Sequence, residues 1–169
     1  MNEDKALEKI AQAKAEGWKK LDLSGMDLEE LPAAIGELTS LTNLFLHGNQ
    51  LSELPAEVGW LTDLTDLYLG YNQLKTLPTE IGHLTSFTSL DLGCNQLKAL
   101  PAEIGQLTSL TSLDLRNSQL SEGEFPAEIM QLTSLTSLAL AFNQLSKLPA
   151  EIGQLTSLTS LNLSANQLS

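Results

Sequence analysis

Two aspartates, Asp91 and Asp114, have the side-chain type and the spacing that carboxylate chemistry would need. Each follows the dipeptide Ser-Leu, and they stand 23 residues apart. If the two segments are neighbouring strands of one sheet, the carboxylates lie about 5 Å apart, as in a retaining glycosidase. An open sheet face leaves both groups in water, where a carboxyl pKa stays ordinary. We therefore interpret them, with the adjacent Arg116, as a charged surface. A weak cation site is the alternative, and we expect no catalysis.

The other nucleophilic or metal-ligating side chains are scattered. By the repeat register described below, His47 falls on a strand and His83 on an outer turn, so they cannot share a metal ion. His47 and Cys94 are two strands apart, roughly 10 Å, which is too far for a thiolate–imidazole pair. The sequence contains no GxSxG, HExxH, CxxC or glycine-rich phosphate motif. We expect no catalytic residue, no metal and no cofactor.

A repeat of 23 residues organises the chain. The pattern LxxLxLxxNxL starts at Leu41 and in weaker form at Trp18. It starts again at Leu64, Phe87, Leu110, Leu135 and Leu158. The step is 23 residues throughout, except for 25 between Leu110 and Leu135. Such regularity is the signature of a solenoid, in which stacked units bury a core that no unit buries alone.

Each part of the repeat predicts a piece of structure. Alternate leucines such as Leu44 and Leu46 point to one face of a short strand, and stacked strands form a parallel sheet. The following asparagine can hydrogen-bond backbone groups of adjacent units. The second half, LPAEIGQLTS at residues 100–109, fits one short helical turn with an inward stripe.

The two ends of the array differ from its middle. Asn2 can cap a helix and Gly17 can end it. Its predicted apolar stripe consists of Ala6, Leu7, Ile10, Ala11 and Ala13. No comparable cap follows the last repeat, where Leu158, Leu161 and Leu163 are expected to face water.

These features together predict one continuous α/β domain. A capping helix occupies residues 1–17, and seven repeats occupy residues 18–169 without an evident C-terminal cap. The repeats form a horseshoe-shaped solenoid, with a parallel sheet on the concave side and short helical turns on the convex side.

The repeat sequences resemble those of a known family. The phrases LPAEIGQLTSLTSLDL and NQLSELP resemble the leucine-rich repeats of cytoplasmic bacterial Roco proteins and of the Ras-suppressor-like family. The opening ALEKIAQAKAEGWKKLDLSG is similar to the start of bacterial Roco-type chains. The resemblance covers essentially the whole chain and implies a leucine-rich-repeat horseshoe that binds proteins. In Roco proteins such repeats precede a GTPase domain, but this sequence has no GxxxxGK[ST] phosphate loop.

Composition narrows the classes of partner and compartment. The formal net charge of −12 disfavours nucleic acid and anionic membranes as partners, and it favours either solubility or a basic partner. The single cysteine, Cys94, cannot form an internal disulfide. The charged N-terminus lacks the apolar run of a signal peptide, and no stretch is apolar enough to span a bilayer. We expect a cytoplasmic protein.

A comparison among the repeats predicts the binding site. Core positions are constant, whereas the outward positions of the strands vary from repeat to repeat. Exposed aromatic side chains at such positions are typical interface anchors. The predicted concave site comprises an aromatic group in repeats two and three and a charged flank: Phe45, His47, Tyr68, Tyr71, Asp91, Asp114 and Arg116. The alternative is that the aromatic neighbours only stack on one another.

Two irregularities complete the sequence reading. Trp60 and His83 share a convex position, where Trp60 either packs over a neighbouring repeat or marks a second contact surface. The fifth repeat has Ser118 for asparagine, Met130 for glycine and two extra residues within Glu122–Phe125. This is either neutral variation or a local bend or acidic contact point.

The favoured function is a protein-binding module. One alternative is an assembly element, including a homodimer, that associates through the uncapped C-terminal edge. The other is a leucine-rich segment of a larger signalling protein.

Overall fold

The computed structural model describes residues 2–120 and 127–169. In these residues a helix, α1 (Asn2–Glu16), precedes seven strands that pair in parallel and in chain order. The strands are β1 (Lys20–Asp22), β2 (Asn43–Phe45), β3 (Asp66–Tyr68), β4 (Ser89–Asp91), β5 (Ser112–Asp114), β6 (Ser137–Ala139) and β7 (Ser160–Asn162). The predicted parallel-sheet solenoid is confirmed. The two extra residues within Glu122–Phe125, with the bend or contact point considered there, lie outside the described residues.

The strands are in register at equivalent repeat positions. Leu44 pairs with Leu67, which pairs with Leu90, so the leucine columns continue across the sheet. Since successive side chains of a strand point to opposite faces, the leucines enter the core and their neighbours form the concave surface. Leu44, Leu46 and Leu67 are completely buried.

Short 3-10 turns occupy the convex side, as the second half of the repeat predicts. Those in the described residues are Ala33–Glu37, Ala56–Trp60, Thr79–His83, Ala102–Gln106, Ala127–Gln131 and Ala150–Gln154. A proline immediately precedes most of them, as Pro55 does with φ −66°, which is the φ that proline fixes. Each turn buries an isoleucine or valine in the core except the last, where Ile152 is half-buried.

Close stacking of the convex turns requires glycine. A Cβ at Gly59 would lie 2.5 Å from Cβ of Glu80 and 2.6 Å from its carbonyl oxygen. Met130 occupies the same position in the fifth repeat and is 4% exposed, so its side chain fills space there. The following turn, Ala150–Gln154, therefore cannot approach as closely as it would against glycine.

The predicted asparagine ladder is present. Asn72 Nδ2 donates to the carbonyl oxygens of Leu46 at 3.0 Å and Leu69 at 2.9 Å, and its Oδ1 accepts from the Leu51 amide at 3.0 Å. The same arrangement recurs at Asn49, Asn95, Asn143 and Asn166. In the fifth repeat the Ser118 hydroxyl replaces part of it by donating to the Leu92 carbonyl oxygen at 3.2 Å. Each asparagine thus ties adjacent repeats together through backbone groups that would otherwise be buried unpaired.

Helix α1 covers the first repeat with a narrower stripe than the sequence predicts. Ala6, Ile10 and Ala13 are at most 2% exposed and join the leucine core. The prediction was wrong for Leu7, which is 44% exposed, and for Ala11, which is exposed. Spacings of three and four residues place only the first three side chains on one line of the helix, and the other two lie about 100° around it.

Candidate functional site

The aromatic group of repeats two and three divides into two parts. Phe45 and Tyr68 are paired in register on β2 and β3, with parallel rings whose centroids are 4.8 Å apart. Both are half-buried. The stacking that the alternative interpretation expects is thus present for this pair, and the role of both rings in binding stays a prediction. Because each ring covers one face of the other, at most one face of each ring remains for contact with a partner.

Tyr71 does not belong to that stack. It is 70% exposed and has φ 57°, so the chain turns sharply after β3 and carries its ring to the strand ends. Phe142, at the equivalent position after β6, is 64% exposed with the same φ. Between these two rings lies an open cavity of about 370 Å³, with Asp91, Gly93, Cys94 and Arg116 along its floor. We call it the strand-end cavity.

The carboxylates of the charged flank lie in different surroundings. Asp91 and Asp114 are register partners on β4 and β5, as predicted. Asp91 is half-buried, and burial raises its pKa above the ordinary 3.8, with the nearby Asp114 charge acting in the same direction. The hydrogen bond from the Gly93 amide, at 2.9 Å, opposes that rise. The prediction of ordinary pKa values for an open surface was therefore wrong for Asp91.

Asp114 forms an ion pair with Arg116. The Arg116 guanidinium holds its carboxylate through Nε, at 3.0 and 2.8 Å from the two oxygens, and through a terminal nitrogen at 2.6 Å. His47 is exposed near the end of β2 and lies within electrostatic range of Asp91. The structure therefore brings Tyr71, Asp91 and Arg116 together at the cavity, while Asp114 lies directly beside it.

Sequence reasoning missed several residues of this surface. Phe142 was not assigned to the predicted site, although it occupies the same position in its repeat as Tyr71. Asp66, at the first position of β3, accepts a hydrogen bond from Asn43 Nδ2 at 2.8 Å. Burial is the main cause of the raised pKa of Tyr68, and the Asp66 charge is the second cause. Gly93, Cys94 and Asn117 were not assigned to the predicted site, yet all three line the cavity.

The convex side has fewer features of a binding surface than the concave side. A Cβ at Gly36 would lie 2.9 Å from Cε3 of Trp60, so the indole lies against the preceding turn while remaining 57% exposed. The interpretation that Trp60 packs over a neighbouring repeat is confirmed. His83 is exposed in the next turn.

Across residues 2–120 and 127–169, no three His, Cys, Asp or Glu side chains are grouped so as to hold a metal ion. No helix in the same residues is both long and apolar enough to cross a bilayer.

Comparison with known proteins identifies the repeat. A family model described as a leucine-rich repeat region matches residues 18–98 and again 90–169. No match is found among curated proteins. The narrower resemblance to Roco and Ras-suppressor-like chains stays a prediction.

Several solved structures share the fold. A leucine-rich repeat protein of Leptospira interrogans is 30% identical with a TM-score of 0.59, covering 94% of this chain and 58% of its own. An internalin of Listeria monocytogenes is 31% identical with a TM-score of 0.73, covering 83% and 40%. A structure described as a TDR receptor is 36% identical with a TM-score of 0.73, covering 82% and 25%. The chain thus spans less than two thirds of each of these proteins.

Proposed function

The chain belongs to the leucine-rich repeat family, and from that premise we propose that it binds a protein partner through the concave face of its sheet. Proteins of this family are commonly interaction modules. The observation that carries the proposal is the exposure of Tyr71 and Phe142, 70% and 64%, on one rim of that face. When a partner covers a large aromatic side chain, the unfavourable contact of the ring with water is removed. Such residues contribute much of the binding energy of protein interfaces.

The rest of the proposed site adjoins this rim. Phe45, His47 and Tyr68 extend the surface toward the N-terminal repeats, and Asp91, Asp114 and Arg116 supply charge next to the cavity. The formal net charge of −12 favours a basic protein surface over nucleic acid or an anionic membrane. We assign no catalytic role to the protein, and its single cysteine favours a reducing compartment such as the cytoplasm.

Affinity capture with matched baits tests the proposal. A Phe45→Ala, Tyr68→Ala, Tyr71→Ala bait is expected to retain a specific partner at least about tenfold more weakly than the wild-type chain, because aromatic anchors carry most interface energy. Binding constants are then measured with the identified partner by calorimetry. A Trp60→Ala, His83→Ala bait alters the convex side instead and serves as the control. Circular dichroism establishes that all baits are folded. Equal binding by the concave variant, or loss only in the convex variant, would refute the concave site.

A second candidate function rests on the last strand of this chain. All three residues of β7 are exposed, Leu161 is 39% exposed and Leu168 is 42% exposed. An edge strand with apolar neighbours can pair with another chain, so the alternative proposal is self-association through β7. This arrangement also allows the chain to be a segment of a larger signalling protein.

Sedimentation distinguishes this alternative from partner binding. If β7 mediates assembly, the sedimentation coefficient is expected to rise with protein concentration, and Leu161→Lys is expected to abolish the rise because a buried charge is costly. Thr159→Lys, at an exposed position immediately before β7, is the charge-matched control. A monomer at every concentration would eliminate the alternative.

A further inference from the structure

Two carboxylates and one guanidinium lie at or beside the strand-end cavity: Asp91 and Arg116 line it, and Asp114 adjoins it. Asp91 and Asp114 contribute two carboxylates, and Arg116 contributes one guanidinium that is engaged by Asp114 through both oxygens. Asp91 accepts the Gly93 amide but forms no ion pair within the described residues. Because Arg116 is paired with Asp114, Asp91 is the carboxylate that a further positive charge in the cavity would balance.

Two glycines leave room for the Asp91 carboxylate on the concave face. A Cβ at Gly70 would lie 3.1 Å from Oδ2 and 3.2 Å from Oδ1 of Asp91. A Cβ at Gly93 would lie 3.3 Å from Oδ1 of Asp91 and 3.4 Å from Oδ1 of Asp114. Other repeats carry His47 or Arg116 at this outward position, and side chains of that size here would cover the carboxylate. The Asp91 carboxylate therefore occupies the space over both glycines, and from there it lines the strand-end cavity.

The backbone conformation at Tyr71 and Phe142 does not require an aromatic side chain. Gly25 and Gly48 occupy the position of Tyr71 and Phe142 in the first two repeats, with φ 60° and 67°. Glycine adopts this left-handed conformation freely, whereas a bulky residue there costs of order 1 kcal/mol. The fold thus holds two aromatic rings, both largely exposed, at positions where glycine would be less costly. A contact made by the rings accounts for them better than packing does.

These features favour one kind of occupant. Aromatic ring faces attract cations, and an accessible carboxylate between them adds a direct ion pair. A neutral or acidic side chain would leave the Asp91 charge uncompensated or oppose it. Burial raises the pKa of Asp91 even though the charges of Arg116 and His47 act to lower it, as expected for a carboxylate that has lost water without forming a direct ion pair.

We propose that the strand-end cavity receives one lysine or arginine side chain of the protein partner, held by Asp91 between Tyr71 and Phe142. The inference rests on the proposed function, because it specifies what part of a protein partner the concave rim recognises. The cavity volume of about 370 Å³ accommodates one such side chain rather than a folded element.

Side-chain analogues test the cavity without knowledge of the partner. Butylammonium and butylguanidinium chloride are titrated into the isotope-labelled protein at constant ionic strength, and amide chemical shifts are followed by NMR. We expect saturable shifts in the millimolar range at Gly93 and Cys94. Asp91→Asn should weaken them at least about tenfold, since a charge-assisted contact is lost, and Tyr71→Gly with Phe142→Gly should weaken them without straining the turns. Asp22→Asn, at the equivalent position on β1 and outside the cavity, is the matched control and should change nothing.

Several outcomes would overturn the inference. These are the absence of saturable shifts with both cations, equal shifts with butanol or butyrate, and equal weakening by Asp22→Asn. Binding of the captured partner to the variants distinguishes failure of this inference from failure of the proposed function. Retention by Asp91→Asn at wild-type affinity, together with loss in the Phe45, Tyr68, Tyr71 variant, would keep concave binding and reject the basic side chain.

Discussion

Gly59→Ala is expected to lower the free energy of unfolding by about 3 kcal/mol, because its methyl group has no room between two convex turns. The new Cβ would lie 2.5 Å from Cβ of Glu80 and 2.6 Å from its carbonyl oxygen. A flexible side chain could rotate away, but a backbone oxygen can move only if the adjacent repeat moves with it. Gly59 does not have the positive φ that alanine would resist, so the cost is one of space.

Gly153→Ala provides the matched control for this experiment. Gly153 occupies the same position in the last convex turn, where an added Cβ would have no atom within 4 Å. Its substitution should change stability by less than about 0.5 kcal/mol, as is usual for an exposed site. Urea unfolding of both variants, followed by circular dichroism, gives the two free energies. Similar losses in both would mean that backbone preference, and not close repeat stacking, explains the glycines.

Asn72→Ala is expected to cost about 3 kcal/mol, because it leaves several buried backbone groups without partners. The carbonyl oxygens of Leu46 and Leu69 lose Nδ2, and the Leu51 amide loses Oδ1. Asn72 is 7% exposed, so little water can replace it. Urea unfolding measures the loss, and hydrogen exchange at the Leu51 amide shows whether that group becomes unprotected.

Two further variants test what sets the stability cost of losing an asparagine of the ladder. Asn72→Ser should be intermediate, because Ser118 already shows that a hydroxyl at this position reaches one carbonyl oxygen, that of Leu92. Asn166→Ala should cost roughly 1 kcal/mol, because Asn166 is half-buried and water can reach the groups it serves. Equal costs at Asn72 and Asn166 would contradict the argument that burial sets the magnitude.

The candidate site shows where repeat-based reasoning was sufficient and where it was not. Register alone placed Asp91 beside Asp114 and Phe45 beside Tyr68, because residues one repeat apart must be neighbours in a stacked array. It did not separate Tyr71 from the stacked pair, since that depends on the positive φ after β3. Nor did it predict the raised pKa of Asp91, because burial depends on what surrounds a carboxylate as well as on the face it occupies.

The sequence by itself determined the repeat length, the inward leucines, the asparagine ladder, the parallel register and the family. These follow because the same residue meets the same neighbours in every unit, so a local pattern repeated at fixed spacing specifies one way of stacking. The tertiary structure alone decided that Tyr71 and Phe142, three strands apart, are the two walls of one cavity. It also decided that Trp60 lies on Gly36 and that Leu7 stays exposed. Those outcomes depend on the direction and depth of individual side chains relative to particular neighbours, which a shared repeat position does not specify.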